Sequence, residues 1–127
     1  MLKIIVPLAL VFLLLFVMKA RAQKTAGSYE DIDVSEFKTK MTESNVVILD
    51  VRTAGEIAGG KIKGAVEMDA LKPGFKDKLA QLDKSKTYLV YCRSGRRSAG
   101  ACSSMSGMGF EQVYNLRGGY DAWQRAK

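Results

Sequence analysis

Short apolar runs rich in β-branched and aromatic residues alternate with helix-spaced stretches along most of this chain. Val46-Val47-Ile48-Leu49 is uninterrupted by polar residues, the pattern of a strand buried on both faces. Tyr88-Leu89-Val90-Tyr91 is a second such run, and it leads straight into Cys92. Shorter β candidates lie at 32–34, 65–66 and 113–114. Helices are expected over 35–41 with Ser35 as N-cap, over 53–58, over 75–82, over 98–108 and over 119–125. Phe75, Leu79 and Leu82 share one face of the third of these, and Gly59-Gly60 breaks the chain after the second. Strand and helix alternating at this spacing predict an α/β fold with a mostly parallel five-stranded sheet flanked by helices.

The N-terminus has a different pattern. Lys3 precedes an uncharged apolar run of 15 residues at 4–18, with Pro7 inside it. A membrane-spanning helix wants about 20 apolar residues, so the run is short for one. No polar residue interrupts it to make a solvent face, as an amphipathic core helix requires. Ala20-Arg21-Ala22 offers small residues at the spacing a signal peptidase reads. Residues 1–22 are therefore expected to be a hydrophobic N-terminal helix acting as a signal peptide, with export to the periplasm or cell envelope. Lys19 and Arg21, between the run and the cut, favour the alternative of a retained membrane anchor. Residues 23–30 read as a linker, leaving 31–127 as one domain.

The net charge of +7 would suggest nucleic acid if it were spread over a face. It is not: without Lys3, Lys19 and Arg21 the rest carries 17 basic against 13 acidic residues, a net +4. Three of those arginines, Arg93, Arg96 and Arg97, crowd into one stretch. That points to a small anionic ligand and away from a nucleic-acid backbone. The absence of histidine excludes Cys-His proteases, Ser-His-Asp hydrolases and most zinc chemistry. No metal or cofactor is expected. Two cysteines, Cys92 and Cys102, build no disulfide framework.

The chemistry gathers in Cys92-Arg93-Ser94-Gly95-Arg96-Arg97-Ser98, at the carboxyl end of the Tyr88–Tyr91 run. Ligand sites in open α/β sheets sit there, where a loop enters a helix. Successive backbone amides in such a loop form a nest for an anion, backed by the helix dipole. Cysteines so placed have pKa values of roughly 3.5–7.5 against about 8.5 free. Gly95 permits the tight turn, and the arginine forks suit an oxyanion. Arg97 closes the loop and is the first choice for contacting a ligand, with Arg93 and Arg96 facing solvent and adding long-range attraction. Asp50, Arg52 and Glu56 are expected to form a structural ion-pair and hydrogen-bond cluster near the site. Ala99, Cys102 and Met105 recur at helical spacing, so Cys102 is expected to face the core, as is Trp123.

At these residues the chain resembles the rhodanese family, over nearly everything from Ile32 onward. Leu49-Asp50-Val51-Arg52 with Glu56 and then Gly60-Lys61-Ile62-Lys63-Gly64-Ala65 is similar to its first signature. Tyr91 to Ser98 resembles its active loop, and Asn115-Leu116-Arg117-Gly118-Gly119 with Trp123 its C-terminal signature. Lys61 departs from the pattern, standing where the family usually has histidine. The resemblance implies a single-domain sulfurtransferase with a catalytic Cys92 that carries a covalent persulfide. The implied partners are a small anionic sulfur donor, such as thiosulfate, and a thiol or cyanide acceptor. A persulfide carrier or sulfur-sensing module without significant turnover stays open. So does an arsenate reductase or phosphatase of the same fold, although those use a loop one residue longer, which would place their arginine at Ser98. Oligomeric state is not legible.

The export reading predicts a mature N-terminus at Gln23 in the envelope fraction, measured by intact mass. Full-length chain in washed membranes would establish an anchor instead.

Overall fold

Five strands, β1 (Glu30–Ile32), β2 (Val46–Asp50), β3 (Val66–Glu67), β4 (Thr87–Tyr91) and β5 (Gln112–Leu116), form one sheet in the order β1-β5-β4-β2-β3. The structure is a computed structural model and describes residues 28–127. The expected signal or anchor segment and the first part of the linker lie outside the described residues. Among the described residues, no helix is long and apolar enough to cross a membrane. Every strand pair is parallel, so each connection must cross over a face of the sheet. The crossovers include helices α1 (Val34–Lys40), α2 (Ala54–Ile57), α3 (Phe75–Ala80) and α4 (Arg96–Gly107), with α5 (Gly119–Arg125) closing the chain.

The pleat of β4 decides which way the chemistry faces. Tyr88, Val90 and then Cys92 alternate onto one face, into a core with Leu49, Leu79, Ala101, Cys102, Met105, Phe110 and Val113. Leu89 and Tyr91 point the other way, toward Ile32, Phe37, Ile62, Leu116 and Tyr120. Trp123 packs edge-on against Phe37, their centroids 6.1 Å apart. Cys102, on α4, is fully buried in the first core.

Several boundaries differ from the sequence reading, each for a local reason. Helix α1 starts at Val34 because Asp33, not Ser35, caps it, accepting from the Glu36 amide at 2.8 Å. Both residue types cap well, but Asp33 has Glu36 three positions on. β1 ends at Ile32 instead of beginning there, since Glu30 to Ile32 pair with Tyr114 to Leu116. Helix α4 starts at Arg96 because Gly95 takes a left-handed φ of 99° and turns the chain directly into it.

One charged pair is fully embedded beneath α2. Arg52 donates through Nη2 to Asp50 Oδ2 at 2.7 Å and to the Gly60 carbonyl at 2.8 Å. Its guanidinium lies 4.2 Å over the Tyr120 ring, and Asp50 also accepts from the Tyr91 hydroxyl. The Tyr91 oxygen in turn accepts from the Ile62 amide at 3.0 Å. The cluster thereby ties β2, β4 and the segment after α2 to α5. Removing one partner strands a buried charge, which costs about 3–5 kcal/mol. Arg52→Ala is expected to lose stability on that scale in chemical denaturation, and a loss below about 1 kcal/mol would show the pair to be dispensable.

Candidate active site

The loop that follows β4 bends back so that its amides face the sulfur. Cys92 Sγ accepts from the Gly95 amide at 3.1 Å and from the Ser98 hydroxyl at 3.3 Å. Burial pushes the Cys92 thiol up, but the Ser98 hydroxyl and the amides of Ser98, Gly95 and Ser94 outweigh it. The net effect holds the thiol below its ordinary value, favouring the thiolate. Cys102 contrasts: burial, with Asp31 and Cys92 adding to it, drives its thiol strongly upward, and it stays protonated. The two buried cysteines are thus shifted in opposite directions, Cys92 toward the thiolate and Cys102 toward the thiol.

The amides turn inward because the loop's carbonyls are held from outside. The Tyr120 amide donates to the Cys92 carbonyl at 2.8 Å, and the Asp121 amide to the Arg93 carbonyl at 3.0 Å. The start of α5 thus clasps the loop backbone. Gly119 makes that approach possible: a Cβ there would lie 2.5 Å from the Cys92 carbonyl oxygen. Asn115 Nδ2 fixes a further loop carbonyl, donating to that of Gly95 at 3.2 Å while also holding Asp31 at 2.8 Å. Asn115, Gly119 and Tyr120 were not among the residues singled out for the site by sequence. The glycine pair opening a helix, inside the C-terminal signature, was the available signal.

The arginines divide. Arg93 and Arg96 are exposed, with Arg93 Nε at 3.8 Å from Asp121. Ser94 is exposed, while Gly95 and Ser98 are buried. Arg97, expected to reach a ligand, instead spends both terminal nitrogens on Glu56, at 2.7 Å each. Glu56 therefore sits beside the loop, whereas Asp50 and Arg52 lie in the buried cluster below. Glu56 also closes a capping box with Thr53, accepting from its amide at 3.2 Å and its hydroxyl at 3.1 Å. Arg97 chiefly, with Thr53 helping, holds the Glu56 carboxyl at about 2. A depressed carboxyl contributes its stability in full above its ordinary 4.5, and that contribution is lost as pH falls toward 2. Lys61 is turned to its own segment, donating to the Ala65 carbonyl at 3.3 Å and facing Glu67 at 3.7 Å.

The Rhodanese-like domain family matches residues 33–126. The chain belongs to the rhodanese family. A sulfurtransferase of Allochromatium vinosum is 35% identical over 97 residues, covering 75% of this chain and 88% of that protein. The rhodanese-like domain protein of Staphylococcus aureus superposes with a TM-score of 0.65 at 34% identity, over 74% of this chain and 90% of the other. Rhodanese domains also occur inside larger proteins. The tRNA uridine(34) hydroxylase of Cytophaga hutchinsonii is 37% identical over 98 residues, which cover 75% of this chain and 31% of that protein.

Gly119→Ala tests the clasp. The added methyl must push the Cys92 carbonyl away, turning the loop amides off the sulfur and removing hydrogen bonds that favour the thiolate. The pH midpoint of Cys92 alkylation is expected to rise, with about 1–3 kcal/mol of stability lost to strain. A folded variant whose midpoint matches wild type would show that α5 does not shape the loop.

Proposed function

We propose that this rhodanese domain moves sulfane sulfur from thiosulfate or a similar small anionic donor to a thiophilic acceptor through a persulfide on Cys92. The observation that carries the reading is the sulfur itself: a cysteine whose Sγ accepts from the Gly95 amide and the Ser98 hydroxyl, and whose thiol is held below its ordinary value. The relationship to a sulfurtransferase supports it.

In the first half-reaction the Cys92 thiolate attacks the outer sulfur of the donor. A new S–S bond forms, the donor's own S–S bond breaks, and sulfite leaves with the electron pair. The terminal sulfur of the resulting persulfide is anionic, and the inward amides of Ser94, Gly95 and Ser98 would hold it between steps. Cyanide or a thiolate then attacks that terminal sulfur and returns Cys92 as thiolate. Arg93 and Arg96, exposed at the rim, would attract the anion from solution. No metal or cofactor enters, because the cysteine is both nucleophile and carrier. Export through residues 1–22 would place the activity in the cell envelope.

The loop length bears on the alternative chemistry. Only four residues separate Cys92 from Arg97, one fewer than in the phosphatase and arsenate-reductase relatives of the fold, and Arg97 is already bound to Glu56.

Incubating the protein with thiosulfate and removing small molecules is expected to add one sulfur atom to its mass, removable by cyanide. Cys92→Ser should gain nothing and lose turnover while remaining folded, since a hydroxyl nearly matches the thiol in shape but forms no persulfide. Sulfur uptake by the serine variant, or efficient turnover of a phosphate ester with thiosulfate ignored, would overturn the reading. A stable persulfide with negligible turnover would indicate a carrier.

A further inference from the structure

A cation at the mouth of an anion-binding loop ordinarily serves the anion. Here the cation inside the loop is occupied. Arg97 presents a two-pronged guanidinium to Glu56, with both contacts at 2.7 Å, and the pair is about three-quarters buried on each side. Glu56 comes from the start of α2 and Arg97 from the start of α4, so the contact bridges two crossover segments that share no backbone hydrogen bond with each other. Arg97 also lies within electrostatic reach of Cys92 and of Asp69. The other charges around the loop are the exposed Arg93 with its half-buried partner Asp121, and the exposed Arg96.

We propose that Glu56 is a positioning residue that neutralises Arg97, setting the charge seen by Cys92 and its donor and limiting how tightly the site holds thiosulfate or a similar anion. The proposal rests on the sulfur-transfer reading for its consequence, but its electrostatic core does not require turnover. The donor's negative charge then meets backbone amides, the Ser98 hydroxyl and only solvated arginines. Freed from Glu56, the Arg97 fork would add a charged donor directly beside the loop, the geometry that suits a dianion such as thiosulfate.

Glu56→Gln separates charge from structure. The amide oxygen of Gln still accepts from the Thr53 amide and hydroxyl, so the capping box survives while the negative charge goes. Local charge at Cys92 can be read without any sulfur donor, from the ratio of its alkylation rates with anionic iodoacetate and neutral iodoacetamide. The measurement uses a Cys102→Ala background, leaving one thiol. Glu56→Gln is expected to raise that ratio several-fold and to move the pH midpoint of alkylation downward. Glu56→Gln with Arg97→Gln, a neutral pair replacing a neutral pair, is expected to return both toward wild type.

With thiosulfate, Glu56→Gln should lower KM by roughly tenfold, the scale of one gained charged hydrogen bond, with kcat changed less. An unchanged ratio and midpoint in folded Glu56→Gln would overturn the proposal, as would a double variant that stays with the single one. Absence of thiosulfate turnover in wild type and variants alike, with the alkylation ratios behaving as expected, would instead reject the sulfur-transfer reading and leave the charge control standing.

Discussion

The grip of α5 on the backbone of the active loop is the constraint from which the rest of the site follows. Two amides at the start of that helix, Tyr120 and Asp121, take the carbonyls of Cys92 and Arg93. A peptide unit is rigid, so drawing its carbonyl outward helps turn the neighbouring amides inward. The Ser98 hydroxyl and the inward amides hold the Cys92 thiol below its ordinary value, and no histidine takes part. The packing below serves the same contact. Tyr120 is held under Arg52, Arg52 is held by Asp50, and Asp50 takes the hydroxyl of Tyr91, the residue immediately before Cys92. Buried charge, which rarely adds net stability in itself, here fixes where a helix starts relative to a loop.

Much of this was legible in the chain, and unevenly. The two long apolar runs at 46–49 and 88–91 marked β2 and β4 because buried parallel strands leave no room for polar residues. The short edge strands were less exact: β1 is defined by pairing with β5, and no local pattern states where that pairing stops. The α4 start was read two residues late, since a left-handed Gly95 leaves no capping side chain to recognise.

The site divided in the same way. Residue types and spacing revealed the loop, because its chemistry is local in sequence. They did not reveal which carboxylate faced which arginine. Arg97 was expected to meet a ligand; its meeting with Glu56, 41 positions away, depends on two crossovers delivering their helix starts to the same place. Asn115 and Gly119 act on the loop through its main chain, so no pairing of complementary side chains announced them.

The distribution of labour within the loop has an evolutionary consequence. What steadies the sulfur is the Ser98 hydroxyl and peptide backbone, and the side chains of Arg93, Ser94 and Arg96 project into solvent. Substitution at these three positions leaves the support of the Cys92 sulfur untouched, provided the backbone keeps its course. The rim can therefore change its charge and shape at little thermodynamic risk, whereas a side chain at Gly95 or Gly119 would run into neighbouring backbone. The surface of the site and the support of its sulfur are in this way separable properties of one short loop.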